Sequence, residues 1–415
     1  MVVFRPFTMI SRTLSGALIL LGLGGDAVLA DDWPQFRGPR HDGISLESLS
    51  QKNWAEAPPK EIWRAKVGIG FSAVSVAKGK VITSGHIGGD DVVRSFDEQS
   101  GKQVWEHRYA SDIGAMFYIG GPGSTPTIDI ESDTVLVLGK WGELFCLKLT
   151  DGSVVWKRHL AKEESLVVPD WGFSGSVLRL ENRLILNLGV AGMAIDSRTG
   201  KTLWRSDGAE SGYSTPVPFR EKGKSLVIVS SGEGYSAVDT NTGQQEWSVP
   251  WLTRYGVNAA DPIIWNDKVF ISSGYQKGSG LFELGDGELE MIWKQRKFRA
   301  QQNAPVRFGD YLYGFDGDSS SRAMLKCLSL KTGEIVWEDE TFGYGALCGA
   351  DGHLIIISSD GRLGLAEASP SGVAASVTPS VLPADCWTVP VIANGRLYCR
   401  NSKGNLVALD LIRTR

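Results

Sequence analysis

Aromatic, amide and charged side chains form the set in this 415-residue chain that is best suited to binding a ligand. They lie in the segments between short apolar runs: Tyr118, Asp170, Trp171, Tyr213, Arg254, Tyr255, Asn258, Asp261, Arg299, Gln301, Gln302, Asn303, Tyr344 and Trp387. Aromatic faces with a few convergent polar groups are typical of sites for a planar or extended ligand. The alternative is that the aromatic rings cap strand ends and the polar groups satisfy strand termini.

Searches for catalytic and metal-binding patterns point to no such site. The five His residues form no pair at metal-ligand spacing, and His86 beside Asp90 and Asp91 is typical of a solvated turn. The segment from Asp316 lacks the length and the final Glu of a calcium loop. We therefore predict no catalytic residue and no metal ligand.

A repeat explains how these side chains would be positioned. The pattern Asp-x-x-Thr-Gly-x-x-x-Trp occurs at 196–204 and 239–247, with variants ending at other tryptophans. The tryptophans in this series, predicted to dock each sheet on its neighbour, are Trp63, Trp105, Trp156, Trp204, Trp247, Trp293 and Trp337. Their mean spacing is roughly 46 residues, the size of one four-stranded propeller blade.

The chain ends show how the ring would close. Ser376 stands where one blade should carry its Trp, and Ala408-Leu409-Asp410 begins an eighth copy without a Trp. Trp63, conversely, has no turn motif before it. We predict an all-β, eight-bladed propeller with four-stranded antiparallel blades, closed by pairing the N-terminal strand with the C-terminal strands.

The cysteines fit this ring as packing residues. Cys146 and Cys327 occupy the same repeat position in blades four apart, too distant to bridge. Cys348, Cys386 and Cys399 remain, and a Cys386–Cys399 bond stays an open alternative.

The motif from Ala194 to Trp204 resembles the tryptophan-docking motif of the PQQ-like, or quinoprotein-alcohol-dehydrogenase-like, propellers. That superfamily includes PQQ enzymes and the non-catalytic assembly factor BamB. The opening from Asp32 to Pro39 is similar to the start of secreted PQQ-like repeat proteins of planctomycete-type bacteria. In the enzymes, the resemblance implies a vicinal Cys-Cys pair and Glu, Asn and Asp ligands for Ca²⁺. This chain has no adjacent cysteines.

Length variation locates the functional face. The distance from each inner-strand Pro to the next Trp is nearly constant, as from Pro216 to Trp247, whereas the distance from Trp to the next Pro varies. The variable loops join an outer strand to the next inner strand and share one face. The basic run from Lys294 to Arg299 is predicted on the same side, as an acidic-ligand site or a solvated loop.

Two functions follow as hypotheses. The first is a binding or assembly scaffold for a cell-envelope protein or a small ligand, with no cofactor. The alternative is a PQQ-dependent alcohol or sugar dehydrogenase that uses PQQ with Ca²⁺. A formal net charge of −4 provides no global field for a nucleic acid.

The N-terminus predicts export. Arg5 and Arg12 precede the apolar run from Leu14 to Leu23, and Val28-Leu29-Ala30 supplies the small residues of a cleavage site, so residues 1–30 are predicted to be a secretory signal cleaved after Ala30. The first 145 residues contain no Cys, so a lipid anchor on a new N-terminal Cys is not expected. We predict an N-terminal extension over 31–59, a propeller over 60–415, and a periplasmic or secreted protein without a membrane-spanning segment.

Overall fold

A computed structural model of the chain contains eight antiparallel β-sheets arranged as the blades of a propeller. It describes Met1 and residues 31–206, 210–285, 289–317 and 322–411. The predicted signal segment therefore lies outside the described residues, except for Met1. The predicted all-β eight-bladed propeller is confirmed.

The blades are numbered in chain order, with strands given from the channel outwards. Blade 1 comprises Ser75–Ala77, Lys80–Ile87, Asp90–Asp97 and Gln103–Ala110, and blade 2 comprises Thr127–Asp129, Thr134–Leu138, Glu143–Lys148 and Val154–His159. Blade 3 comprises Leu178–Leu180, Arg183–Leu186, Met193–Asp196 and Thr202–Arg205, and blade 4 comprises Val217–Glu221, Lys224–Ser230, Gly234–Asp239 and Gln245–Pro250. Blade 5 comprises Ile263–Trp265, Lys268–Ser273, Gly278–Glu283 and Glu290–Gln295, and blade 6 comprises Val306–Phe308, Tyr311–Asp316, Met324–Ser329 and Ile335–Asp339. Blade 7 comprises Gly345–Ala350, His353–Ser358, Arg362–Glu367 and Ser376–Ser380, and blade 8 comprises Val391–Ala393, Arg396–Arg400, Asn405–Asp410 and Lys60–Lys66. The strand Ile44–Ser45 adds to blade 7, and the short helices are Leu160–Glu163 and the 3₁₀ turn Arg254–Gly256.

Blade 8 closes the ring as the sequence predicts. Its outer strand comes from the N-terminal part of the chain and its other three strands come from the C-terminal part. Glu61 pairs with Leu409, and Trp63 pairs with Ala408 across a register shift. The N-terminal and C-terminal parts of the chain are thus joined by backbone hydrogen bonds within one blade, which closes the ring.

A tryptophan occupies the seam between each pair of successive blades. Trp63, for example, packs between blades 8 and 1, and its Nε1 donates to the Glu98 carbonyl at 2.9 Å. The turn glycine of the repeat lies directly on this indole: Gly101 has φ +67°, and a Cβ there would stand 2.5 Å from Trp63 Cδ2. The repeat therefore requires glycine both for the turn and for the close approach of the ring.

The seam between blades 7 and 8 lacks a repeat tryptophan and uses Trp54 instead. Trp54 comes from the segment before Lys60–Lys66, the outer strand of blade 8. Its side chain is 1% exposed and lies in a cluster of residues from blades 7 and 8. Its backbone N–H donates to Oγ of Ser376, the residue at the vacant tryptophan position, at 3.0 Å. The N-terminal segment therefore supplies the tryptophan that this seam lacks.

The rest of this segment lies across the central channel. Trp33 forms a β-bridge with Val76 of blade 1, and Ile44–Ser45 runs parallel to the inner strand of blade 7. Between these contacts, the Arg37 guanidinium donates to the carbonyls of Ala304 and Pro305 in front of blade 6, at 3.1 and 3.0 Å. The inner strands of distant blades are therefore tied together through one segment. No helix among the described residues is long and apolar enough to cross a membrane.

Candidate binding face

The connections from each outer strand to the next inner strand contact one another on one side of the ring, which we call the loop face. Their described residues are 67–74, 111–126, 160–177, 206, 210–216, 251–262, 296–305, 340–344 and 381–390. The loops between second and third strands meet them there: Lys140 reaches 113–118, and Tyr275 contacts Tyr255. Side chains far apart in sequence are thereby brought together.

One group of rings joins blades 7, 8 and 1. The centroid of Phe71 lies 5.6 Å from those of Tyr118 and Trp387, and Trp387 lies 5.9 Å from Tyr344. Trp387 Nε1 donates to Ser359 Oγ at 3.0 Å, which fixes the orientation of its ring. These rings pack mainly on one another, as the strand-capping alternative predicts.

A second group of rings lies around Trp171. Its centroid is 6.0 Å from Tyr213 and 6.4 Å from Tyr255, and Tyr255 is 5.6 Å from Tyr275. Tyr213 is buried, whereas Tyr255 is 56% exposed. Trp171 Nε1 donates to the Met116 carbonyl at 3.3 Å, so this group is continuous with loop 111–126.

Lys140 holds loop 111–126 in place. Its Nζ donates to the carbonyls of Ile113 and Gly114, at 3.0 and 2.8 Å, and to Tyr118 Oη. Burial lowers the Lys140 pKa to about 8 and raises the Tyr118 pKa to about 12. With its hydrogen bonds made to the loop, the ammonium fixes Tyr118 in the aromatic group.

Several predicted binding residues make contacts within the fold. Asn258 is fully buried, and its Nδ2 donates to the carbonyls of Ser231 and Trp251 at 2.9 and 3.1 Å. Arg299 forms a two-point ion pair with Asp316 at 2.8 and 2.9 Å. Such contacts reflect the ordinary requirement that buried polar groups be satisfied.

The amide side chains next to them link neighbouring blades. Asn303 Nδ2 donates to the Trp387 carbonyl at 2.9 Å, and Gln302 Oε1 accepts from Tyr344 Oη. Gln301 is buried, and Asp170 and Arg254 are exposed. Among the predicted residues, the exposed charges and Tyr255 are therefore the most accessible to a partner.

Asp261 completes a chain of hydrogen bonds around the channel wall. The N–H of Ala73 donates to Thr125, that of Thr125 to Ser176, that of Ser176 to Thr215 and that of Thr215 to Asp261, over 2.8–3.0 Å. Each bond joins one blade to the next. These N–H groups lie just before the inner strands, where no strand pairs with them, so the side chains satisfy backbone groups that would otherwise lack a partner.

Burial raises the Asp261 pKa to about 6, opposed by Arg37, whose Nε lies 4.0 Å from Asp261 Oδ2, and by the Thr215 N–H. Burial also lowers the Arg37 pKa. The pair joins the N-terminal segment to the channel wall, so both Asp261 carboxylate oxygens face groups of the protein itself.

The comparisons with known proteins agree with this architecture. The sequence matches the family described as outer membrane protein assembly factor BamB over residues 53–168 and 89–339, which is more than half of the chain. The chain belongs to the BamB family. A BamB of Burkholderia pseudomallei is 21% identical over 301 residues, which cover 61% of this chain and 75% of that protein.

Solved structures extend the likeness of this BamB-family chain to its fold. BamB of Moraxella catarrhalis superposes with a TM-score of 0.63 at 14% identity, covering 85% of this chain and 99% of that one. Quinohemoprotein alcohol dehydrogenase of Comamonas testosteroni superposes with a TM-score of 0.66 at 13% identity, and the match covers 92% of this chain and 81% of that one. At these identities the likeness concerns the fold alone.

The side chains of this BamB-family protein fit calcium-bound PQQ poorly. Asp261 Oδ1 already accepts from Thr215, and Oδ2 faces Arg37. Among the described residues, no group of three His, Cys, Asp or Glu side chains is arranged to hold a metal ion. The five cysteines are buried and free, so the Cys386–Cys399 bond left open by the sequence is not formed here. No reaction step is assigned to PQQ in this chain.

Sequence reasoning missed several contributors to the face. Phe71 and Tyr275 connect the two aromatic groups to their neighbours, and Lys140 fixes Tyr118. Phe71 and Lys140 lie next to glycines in short connections with no distinguishing spacing. The chain of hydrogen bonds around the channel wall did have a sequence signal. A Ser, Thr or Asp stands directly before the inner strand or its Pro in several blades, as at Thr125, Thr215 and Asp261.

Proposed function

We propose that this chain is an extracytoplasmic binding scaffold of the cell envelope that holds a partner protein against its loop face. The observation that carries the proposal is a cluster of apolar side chains on the loop face, which we call the apolar cluster: the exposed Met116, Phe117 and Tyr255 and the partly buried Trp171. Phe117 is 98% exposed, Tyr255 56% and Met116 40%.

The cluster is continuous and faces solvent. Trp171 links loop 111–126 to Tyr255 through its hydrogen bond to Met116 and its ring contact with Tyr255. Exposed apolar patches bordered by charged groups typically mark sites of protein interaction. Arg254, stacked on the Tyr255 ring at 4.9 Å, supplies such a charge.

Family membership supports a partner in the envelope. The relatives are named for assembly of outer membrane proteins, and the predicted signal segment 1–30 would place this chain in the same compartment.

Substitutions in the apolar cluster test the proposal. The double variant Phe117→Asp and Tyr255→Asp is expected to reduce recovery of the cross-linked partner from envelope fractions about tenfold, because charge would replace its apolar contacts. Quantitative mass spectrometry of the cross-linked species measures this loss. The matched control is Val104→Asp with Leu203→Asp, two apolar residues 42% and 47% exposed on the outer strands.

The control variant is expected to retain the partner, and both variants should keep the wild-type melting temperature. Recovery lost in the control and kept in the apolar-cluster variant would place the binding surface on the outer strands and refute the proposal.

The dehydrogenase alternative has its own measurement. The purified chain would be mixed with PQQ and Ca²⁺, and bound quinone absorbance and dye reduction by alcohols or sugars would be recorded. We expect neither signal, because Asp261 is engaged by Thr215 and Arg37. Stoichiometric quinone binding with substrate-dependent dye reduction would replace the scaffold proposal.

A further inference from the structure

A row of cations lies on the loop face beside blade 5. It comprises Arg254 in the loop before the blade, Lys277 in the loop between its second and third strands, Lys294 near the end of its outer strand, and Arg296 and Lys297 directly after that strand. We call these five residues the cationic row. All are exposed except Lys277, which is partly buried.

Contacts show that the row is continuous. The Nζ atoms of Lys277 and Lys294 lie 4.5 and 5.6 Å from the ring of the same buried residue, Trp251. The backbone after Lys277 runs against Arg296, since a Cβ at Gly278 would stand 2.8 Å from Arg296 Cα. The row therefore passes from the blade edge to the loop that carries Lys277.

The inner end of the row adjoins the apolar cluster. Arg254 stacks on Tyr255, and Tyr255 contacts Tyr275, two residues before Lys277. The row thus extends from the outer edge of blade 5 to the apolar cluster defined above.

Within the part of the chain that the structure describes, none of the five cations forms an ion pair with a carboxylate. The nearby Asp316 and Glu338 are bound by Arg299 and Lys326 instead. Burial, and then the charge of Lys294, lowers the Lys277 pKa. Like charges so placed repel one another, and the contacts observed for three of them among the described residues are with the rings of Trp251 and Tyr255.

We propose that the cationic row binds an extended acidic segment of the partner protein. This inference rests on the proposed scaffold function and specifies the chemistry of the partner. In an extended chain, every second side chain points to the same side, and these side chains repeat at about 7 Å. Carboxylates at alternate positions of such a chain could therefore each meet a cation of the row. The Tyr255 ring provides the neighbouring apolar contact, and the Arg254 guanidinium offers a fork for a carboxylate.

The confinement of the row to one blade favours a peptide over a membrane surface. All five members lie on blade 5 or in the loops directly before and after it, and none of the five comes from another blade. An anionic bilayer, by contrast, is best engaged by a basic surface spread over a plane.

A binding titration with purified protein tests the inference. The probe is a short fluorescent peptide in which Glu and Ser alternate, followed by fluorescence anisotropy. The double variant Lys277→Gln and Lys294→Gln is expected to weaken binding about tenfold, because two of the five charges are removed. Wild-type binding should also weaken as salt is raised.

The matched control is Lys102→Gln with Lys201→Gln, two exposed lysines at turns on the opposite side of the ring. It should bind within about twofold of wild type, and a peptide with Gln in place of Glu should not bind. Failure of the wild type to bind the acidic peptide, or equal loss in both double variants, would overturn the inference. Tighter binding to phosphatidylglycerol vesicles than to the peptide would overturn it in favour of a membrane.

These outcomes are separable from those of the scaffold proposal. If the cross-linked partner depends on Phe117 and Tyr255 but the acidic peptide does not bind, only the inference about partner chemistry fails. If the peptide binds through Lys277 and Lys294 while the partner is lost only in the outer-strand control, the scaffold face is wrong and the anion site stands.

Discussion

Replacing Trp54 with alanine is expected to lower the free energy of unfolding by about 3–5 kcal/mol. Trp54 is the tryptophan of the seam between blades 7 and 8 and is 1% exposed there. Its removal leaves a cavity between two sheets and loses the burial of roughly 150–250 Å² of side-chain surface. Urea unfolding followed by intrinsic fluorescence and circular dichroism measures the loss.

A second tryptophan provides the control for Trp54. Trp141 is only partly buried and its Nε1 donates to the Asp112 carbonyl, so Trp141→Ala is expected to cost about 1 kcal/mol. Trp54→Phe should fall between the two, because a smaller ring retains part of the packing. Equal stability of Trp54→Ala and wild type would show that the seam does not depend on this side chain.

The Gly101→Ala variant is expected to lose about 3 kcal/mol of unfolding free energy. Two costs combine there: φ is +67°, and the added Cβ would lie 2.5 Å from Trp63 Cδ2. The left-handed backbone accounts for about 1 kcal/mol, and displacement of the indole from its seam accounts for the remainder. The same urea titration measures the change.

Gly352 separates the two costs. It has nearly the same backbone conformation, φ +70°, but a Cβ there meets nothing within 4 Å. Gly352→Ala is therefore expected to cost only about 1 kcal/mol. If both alanine variants lost the same stability, the turn geometry alone would explain the glycine and the proposed contact between glycine and indole would be refuted.

The repeated elements were predictable from sequence because each repeat carries its own signal. The Gly-to-Trp spacing at 101–105, 200–204 and 243–247 predicted the turn, the outer strand and the docking ring of successive blades. Trp63 without a turn motif, together with the unfinished copy at Ala408, predicted the closure that Glu61 and Leu409 make. Local spacing is sufficient where every blade solves the same packing problem.

The N-terminal segment was not predictable in this way. Trp54 meets Ser376 from 322 positions earlier in the chain, and Arg37 meets Ala304 from 267 positions earlier. Neither belongs to a periodic pattern. The missing Trp at Ser376 was a visible gap, but nothing local to Trp54 indicated that it would fill that gap.

The loop face was predictable as a face, but the contacts of its residues were not. Loop length identified the loops, whereas the role of a polar side chain depends on partners that other blades supply. Asn258 and Arg299 have the residue types of ligand-binding groups, yet Ser231 and Asp316 engage them. The exposure of Phe117 was not predictable, because the sequence of a loop has no periodicity from which the buried and exposed side chains can be inferred.

Hydrogen exchange on the chain bound to its cross-linked envelope partner tests the central claim most directly. The account predicts slowed amide exchange in loops 111–126, 160–177 and 251–262, which carry the apolar cluster. It predicts unchanged exchange at the turns 98–102, 197–201 and 240–244 on the opposite side of the ring. Protection of those turns, with the three loops unaffected, would contradict it.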